Sequence, residues 1–477
     1  MRARTTWLGT DEKDLVLNEA IGLLERVGMR MTGSRVVPLL AASGADVDDS
    51  GVVRLPRALV MEALELCPRE FVLAGSDPEY DYTLSEGKPT GFCSSGCAAF
   101  ALDPETGERR PSTLADLRAA TALLDESPAV DVLWTTVTAN DVPIEERELV
   151  GYAAVLNESH KHVTFVDSPR QVESVLAIAE AVSGDLDAFA ARPRFSTLIT
   201  AASPFQVDGP ALDFHAATAA CGVPVEVYTV PMAGATSPVT LAGTITQAVA
   251  EFLGVAVALQ TLSPGARLIM GASGTVMDML SCNISYGAAE SGLMNAACVE
   301  IAHHMGVPAI VPGMATEAKH AGVQAGYEKA LKGLTTASAQ ADLLSGGVGM
   351  IDSVNTLYLP QIVIDAEIIG MIRVLLGEVE VTRESMLLDM VERVGIGGNF
   401  LREKETTRRV RAGEHYRPSI SARQTYDAWA AEGRDELDLA RERATAMLEA
   451  HAERPAPLSE EQRARLLEVC RAEAYLE

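Results

Sequence analysis

What this 477-residue chain lacks narrows it before anything it contains. It carries 39 basic residues against 66 acidic ones, a formal charge of −27, so it offers little on which phosphates could release counterions, and nucleic acid is disfavoured as a partner. The acidity suits a cationic ligand, although much of it serves simply to keep a protein soluble. The seven cysteines are odd in number and scattered, which points to a reducing, cytoplasmic setting rather than a disulfide framework. Their one close pair, Cys93 and Cys97 in CSSGC, has no second pair at finger spacing, and histidines gather only as His160/His162 and His303/His304. No metal site is expected. No apolar segment follows the arginines of MRARTTWLGTDEKDL, so neither a signal peptide nor a membrane anchor is expected. The longest apolar region, 241–262, contains Gln247 and Glu251 and reads as a buried helix. GxGxxG after a first strand and the GxSxG elbow are both missing, which counts against a dinucleotide site and a serine nucleophile.

What is present is a rhythm. Residues 11–73 are helical in pattern, with LVLNEAIGLLERVG closing on a glycine and GADVDDSGVVRLP reading as a hairpin. From residue 91 short apolar runs alternate with helical stretches. The runs are 91–102, 130–136, 162–166, 195–200, 224–230, 267–270, 308–311 and 341–351, and eight βα units close naturally into a (β/α)₈ TIM barrel. A doubly wound open sheet is the alternative. The organisation expected is an N-terminal helical and hairpin region (1–88), the barrel (89–376) and a charged, helical C-terminal extension wrapping it (377–477).

In such a barrel the chemistry sits beyond the carboxyl ends of the strands. The stretch VPAIVPGMATEAKHAGVQAGY opens a strand into a polar loop holding Glu317, Lys319 and His320. Other strand ends offer Asn140, Asp141, Asp167, the SPFQ turn, PMAGATSP, Asp278 and Asp352, with Phe205, Tyr286, Tyr327 and Tyr358 as nearby aromatics. PMAGATSP either presents backbone N–H groups to an anion or only shapes a turn. Carboxylates beside aromatic faces suit a quaternary ammonium, which binds by cation–π attraction and donates no hydrogen bond. The substrate-binding set expected is therefore Phe205, Asp278, Tyr286, Glu317, Lys319, Tyr327 and Tyr358, with Glu317 or Asp278 facing the axis and Lys319 pointing inward or pairing with Glu317 or Glu328.

MAGATSPVTLAG, VMDM, ATEAKHAGVQAGYEKAL, QIVIDAEIIGMIRVLL, GIGGNFL and HYRP, with EAIGLLERVG and DPETGERRPST upstream, resemble the trimethylamine methyltransferase family. The resemblance implies a TIM barrel that takes a methyl group from a methylated amine and delivers it to Co(I) of a cobalamin carried by a separate small corrinoid protein, with no cofactor permanently bound. Founding members carry pyrrolysine in the barrel. Every position here is a standard residue, and Lys319 lies in the seventh loop, the region assigned to pyrrolysine by the resemblance. Relatives without pyrrolysine resemble quaternary amine demethylases, glycine betaine foremost, and a quaternary nitrogen leaves as a neutral amine without covalent activation. Ser345, Gly346 and Asn399 stand where relatives carry histidine, so the pocket is expected to differ from theirs. Alternatives are a catalytically silent scaffold and a demethylase with another acceptor, such as a folate. A homo-oligomer is compatible with all three.

Overall fold

Eight runs rich in branched aliphatic and aromatic residues pair in parallel and close on themselves: β1 (Gly91–Ser94), β2 (Val132–Trp134), β3 (His162–Phe165), β4 (Phe195–Ala201), β5 (Val225–Thr229), β6 (Leu268–Ala272), β7 (Ala309–Pro312) and β8 (Leu343–Val348). The structure is a computed structural model that describes residues 4–166 and 171–476. After the successive strands come α1 (Leu114–Glu126), α2 (Arg147–Glu158), α3 (Val172–Ser183), α4 (Gly209–Ala219), α5 (Leu241–Leu262), α6 (Ala289–Met305), α7 (Val323–Ser338) and α8 (Leu359–Leu376). The pairing of Leu343 with Gly91 and Leu344 with Phe92 closes the ring, so this is the expected TIM barrel and not an open sheet. Strands covered on both faces bury nearly all their side chains, Thr200 on β4 being an exposed exception, which is why their sequences are mostly apolar instead of alternating.

Two strands are shorter than their apolar runs. The run 91–102 leaves the barrel after Ser94, turns at Cys97 (φ 62°), and resumes as Phe100–Leu102 in a separate small sheet. The run 341–351 also splits, and Met350–Ile351 joins that same sheet with Thr356–Leu357 and Arg109–Pro111. Both departures occur at carboxyl ends, so the extra sheet forms a rim around the mouth. The opposite end is shut: strands Phe71–Leu73 and Tyr82–Leu84 pair antiparallel, and Phe71, Leu73 and Leu84 join the interior cluster of Cys93, Val132 and Ile269.

Helix α5 has the length and apolarity of a membrane span, but most of it is buried here. The helices Thr10–Arg26 and Arg57–Leu66 lie across it, so an all-round apolar helix has a protein partner on every side. The hairpin expected from GADVDDSGVVRLP is the pair Asp46–Val47 and Val52–Arg54. At the other terminus, helix Glu436–Ala452 packs on α8 and α1, and Glu460–Cys470 on α3 and α2. Asp125, Glu126 and His451 converge there in a way that resembles a metal site. Arg454 already bridges Asp125 (2.8 Å) and Glu126 (2.9 Å), so the cluster is an ion-pair network anchoring the extension.

The end of β8 departs from regular pairing between Leu344 and Val348. Gly347 is required there, because a Cβ on it would lie 1.9 Å from the Met314 carbonyl oxygen. A fully buried ion pair holds the distorted segment: Lys329 Nζ reaches Asp365 Oδ2 (2.7 Å) and the Gly347 carbonyl (2.6 Å), while Gly349 N–H donates to the same carboxylate (2.7 Å). Removing one partner strands the other charge in the core. We expect Lys329→Met to lower the unfolding free energy in urea by about 3–5 kcal/mol, and the Lys329→Met/Asp365→Leu double variant to recover only part of that loss, because the Gly347 carbonyl and Gly349 N–H stay unpaired.

Candidate active site

Loops after β6, β7 and β8 enclose a cleft of about 950 Å³ at the carboxyl face, lined by Asp278, Glu317, Lys319, Glu328 and Asp352 among others. The seventh and eighth loops are stitched together by backbone bonds, from Asp352 N–H to the Ala318 carbonyl (2.8 Å) and from Ser353 N–H to the Thr316 carbonyl (2.9 Å). Glu317 accepts from Gly287 N–H through Oε2 (2.8 Å), while its buried Oε1 has no hydrogen-bond partner. Burial, and then the neighbouring Glu328 carboxylate, push its pKa up. Beneath it Lys332 is buried, with Nζ donating to the Tyr286 carbonyl (2.5 Å) and Ser291 Oγ (3.0 Å). Burial lowers this lysine to about 7 against the pull of Glu317 and Glu328.

The expected residues separate into two groups. Glu317 and Tyr286 come together, since the carboxylate raises the phenol's pKa after burial has done so. Asp278 lines the same cleft, but its carboxylate is turned back on its own loop, accepting from Leu280 N–H, Ser281 N–H and Ser281 Oγ, so it does not face the axis. Lys319 does not point inward and does not pair with Glu317 or Glu328. Its exposed side chain crosses to Asp352 at 2.5 Å, which holds the ammonium at the rim. Phe205 lies away from the cleft because its N–H donates to Glu251 on α5 (3.0 Å) and its carbonyl accepts from Arg30 in the N-terminal region (2.9 Å). Tyr327 is 52% exposed on the outer face of α7, and Tyr358 is buried as the residue preceding α8. Neither lines the cleft. The PMAGATSP turn spends its N–H groups internally, with Gly234, Ala235, Thr236 and Ser237 all donating within the turn. Asn140 and Asp141 tie the first rim loop through Ala99 and Leu114, Asn399 caps an exposed turn through Leu401 N–H, and Asp167 lies outside the described residues.

The more chemically pointed group lies on the barrel axis. Alternation along β2 and β5 turns Trp134, Glu226 and Tyr228 into the interior. The Trp134 and Tyr228 rings meet edge to face at 5.5 Å, and Tyr228 Oη bonds Ser345 Oγ at 2.6 Å. Gly271 on the adjacent strand makes room for this ring, since a Cβ there would sit 2.2 Å from Tyr228. Glu226 is fully buried and bonds Thr164 Oγ1 at 2.7 Å. Burial lifts it to about 8, with Thr164 and the nearby Trp134 indole pulling down. Tyr286 is close enough to Tyr228 to perturb it, so the outer cleft and the axis share a wall. Strand β5, VEVYT, reads as one more buried strand, and its single carboxylate was the only signal of this group in the sequence.

The model of the trimethylamine methyltransferase (MTTB) family matches residues 2–472. The chain belongs to that family. It is 32% identical over 450 residues to a trimethylamine methyltransferase of Desulfitobacterium hafniense, covering 94% of this chain and 90% of the relative. It is 30% identical to the trimethylamine methyltransferase of Methanosarcina thermophila, with 91% and 90% covered. A glycine betaine methyltransferase of Desulfitobacterium hafniense strain Y51 is 27% identical, with 89% and 88% covered. The solved monomethylamine methyltransferase of Methanosarcina barkeri superposes with a TM-score of 0.52 at 13% identity, covering 93% of this chain and 88% of that one, and shares the fold.

For a trimethylamine methyltransferase family member, a cleft lined by four carboxylates and one lysine suits a methylated ammonium. Because the raised pKa of Glu317 means the folded protein holds a proton that the unfolded chain has lost, ionising this group weakens the fold as pH rises from the ordinary carboxylate range. Glu317→Gln is expected to raise Tm by about 1–2 °C at pH 8, a difference that vanishes at pH 4, as differential scanning calorimetry will show.

Proposed function

We propose that this methyltransferase family member demethylates a quaternary ammonium of the betaine type, with the Co(I) of a corrinoid carried by a separate small protein as acceptor. The observation that carries the reading is the acidic cleft at the barrel mouth, where Asp278, Glu317, Glu328 and Asp352 are opposed by Lys319 alone among the described lining residues. A cation lowers its energy on entering such a field. Lys319 at the rim provides a counter-charge for a substrate carboxylate, released from Asp352 in exchange, while the ammonium end goes inward past Tyr286.

In this reaction the N–CH₃ bond breaks with its electron pair left on nitrogen, so the amine departs neutral and needs no proton. The corrinoid, when its carrier docks, supplies the electron pair for the new bond to carbon. The chain's own part is to bind, orient and desolvate the cation, which converts a bimolecular encounter into a positioned one. The open mouth of the barrel is compatible with an acceptor presented by another protein. None of the cysteines forms a disulfide among the described residues, in keeping with a reducing cytoplasm.

With added Co(I) cobalamin, we expect loss of one methyl group from at least one of glycine betaine, carnitine, proline betaine and choline, read by mass spectrometry of the amine. Transfer from none of them removes the proposal in favour of a silent scaffold, and transfer only to a folate removes the acceptor. Among these substrates, Lys319→Met is expected to weaken betaine capture about tenfold, the ~1.4 kcal/mol of one lost charge contact, and to leave choline unchanged.

A further inference from the structure

Glu226 sits at the end of a hydrogen-bonded chain that runs down the barrel core through Thr164, Ser196 and His162. The successive contacts are Glu226 Oε1 to Thr164 Oγ1 (2.7 Å), Thr164 Oγ1 to Ser196 Oγ (2.9 Å) and Ser196 Oγ to His162 Nε2 (3.0 Å). His162 Nδ1 faces two carbonyls, Pro193 O at 3.1 Å and Ala74 O at 3.3 Å. A carbonyl only accepts, so Nδ1 carries hydrogen. Complete burial pushes the imidazole's pKa down to about 3, so it is neutral and Nε2 is an acceptor. Ser196 must then donate to His162, and Thr164 to Ser196. Thr164 has no hydrogen left for Glu226, so the carboxyl supplies one itself: hydrogen counting makes Glu226 a neutral acid in the empty barrel.

The space above it is an aromatic corner. Trp134 and Tyr228 are each 7% exposed and Leu198 8%, whereas Glu226 is fully buried. Glu226 Oε2 and the Trp134 indole N–H make no hydrogen bond of normal geometry, although the indole lies near enough to the carboxyl to lower its pKa. Two aromatic faces with a carboxyl behind them form a site for a cation without hydrogen-bond donors.

We propose that the Trp134–Tyr228 corner holds the methylated ammonium group and that Glu226 is its proton-coupled counter-charge, releasing its proton to solvent as the cation enters. The proposal rests on the substrate class argued above and locates its cationic end. Charge is conserved in the exchange: one cation enters, one proton leaves, and Thr164 turns its hydrogen from Ser196 to the carboxylate, leaving the Thr164–Ser196 contact without one. The titratable groups facing Glu226 are Cys93 from β1, His162 from β3 and Tyr228 from its own strand. All three are neutral, since burial raises the thiol and the phenol, while β4 and β6 present Leu198 and Ile269. Arg194 is felt by His162 at the base of the chain, and among the described residues no cation neutralises Glu226. An incoming ammonium is therefore the charge that ionises it, and burial, outweighing the pull of Thr164 and Trp134, lifts its pKa to about 8.

Tetramethylammonium, a probe with no carboxylate, tests this by calorimetry in phosphate and in Tris, whose ionisation enthalpies differ. At pH 7 we expect close to one proton released per cation bound, and an affinity that rises nearly tenfold from pH 6 to 7 and levels off above pH 8. Glu226→Gln, checked for folding by circular dichroism, should abolish the release and flatten the pH profile. Glu251→Gln, at a buried carboxyl on α5 outside both the cleft and the axial group, should keep both, which separates Glu226 from buried carboxyls elsewhere. Trp134→Leu should weaken binding at least fivefold without removing the proton release. Failure of tetramethylammonium to bind, binding without proton release, or release that survives in Glu226→Gln overturns the proposal. Binding with release but no methyl transfer from any quaternary amine tells against the proposed reaction and leaves the site assignment standing.

Discussion

The buried pair of Lys329 and Asp365 is the contact on which the mouth of this barrel depends. Taking both charges out of water costs several kcal/mol per ion, and burial accordingly pushes the lysine down and the carboxyl up while their mutual attraction opposes both shifts. What the pair achieves is positional. It joins α7 to α8 and fastens the carbonyl of Gly347 and the N–H of Gly349, so the last strand ends in a fixed distortion. From that distortion follow the backbone stitches between the seventh and eighth loops and the placement of Ser345 against Tyr228. An apolar pair of the same volume would fill the space but would leave that amide and carbonyl unpaired in the core, where each unsatisfied group costs about 1–3 kcal/mol.

Charge is graded along the path inward. The rim carries Asp352 neutralised by Lys319 and Arg109, the cleft carries Glu317 and Glu328 above the buried Lys332, and the axis carries only neutral groups around Glu226. A field of this shape attracts a cation at long range and exchanges water for aromatic surface at short range. It also keeps the interior free of permanent negative charge, which in a low-dielectric core would otherwise demand a resident counterion.

The fold was legible in the sequence because covered parallel strands leave long apolar runs and because eight of them recurred with helices between. Strand ends were less legible. Nothing local distinguishes Gly91–Ser94 from Phe100–Leu102, since both are apolar and the break depends on backbone conformation at Cys97. For the site, the polar seventh loop led to the cleft that Glu317 lines. It misled on Lys319, whose direction is decided by Asp352, 33 residues away in the chain. Phe205 and Tyr358 were sorted by tertiary contacts that periodicity does not encode, and Tyr327 by which face of α7 it occupies. Glu226 escaped notice because a carboxylate inside a short apolar strand has no motif around it.

The plug formed by Phe71–Leu73 and Tyr82–Leu84 gives the barrel a closed floor and leaves its mouth as the open end. In the proposed reaction a single doorway serves the amine and the docking acceptor alike. An acceptor protein seated over the mouth is a cork, so the amine must be in place before it arrives and the demethylated product must wait behind it until it leaves. The order of events is thus written into the architecture: amine first in, amine last out.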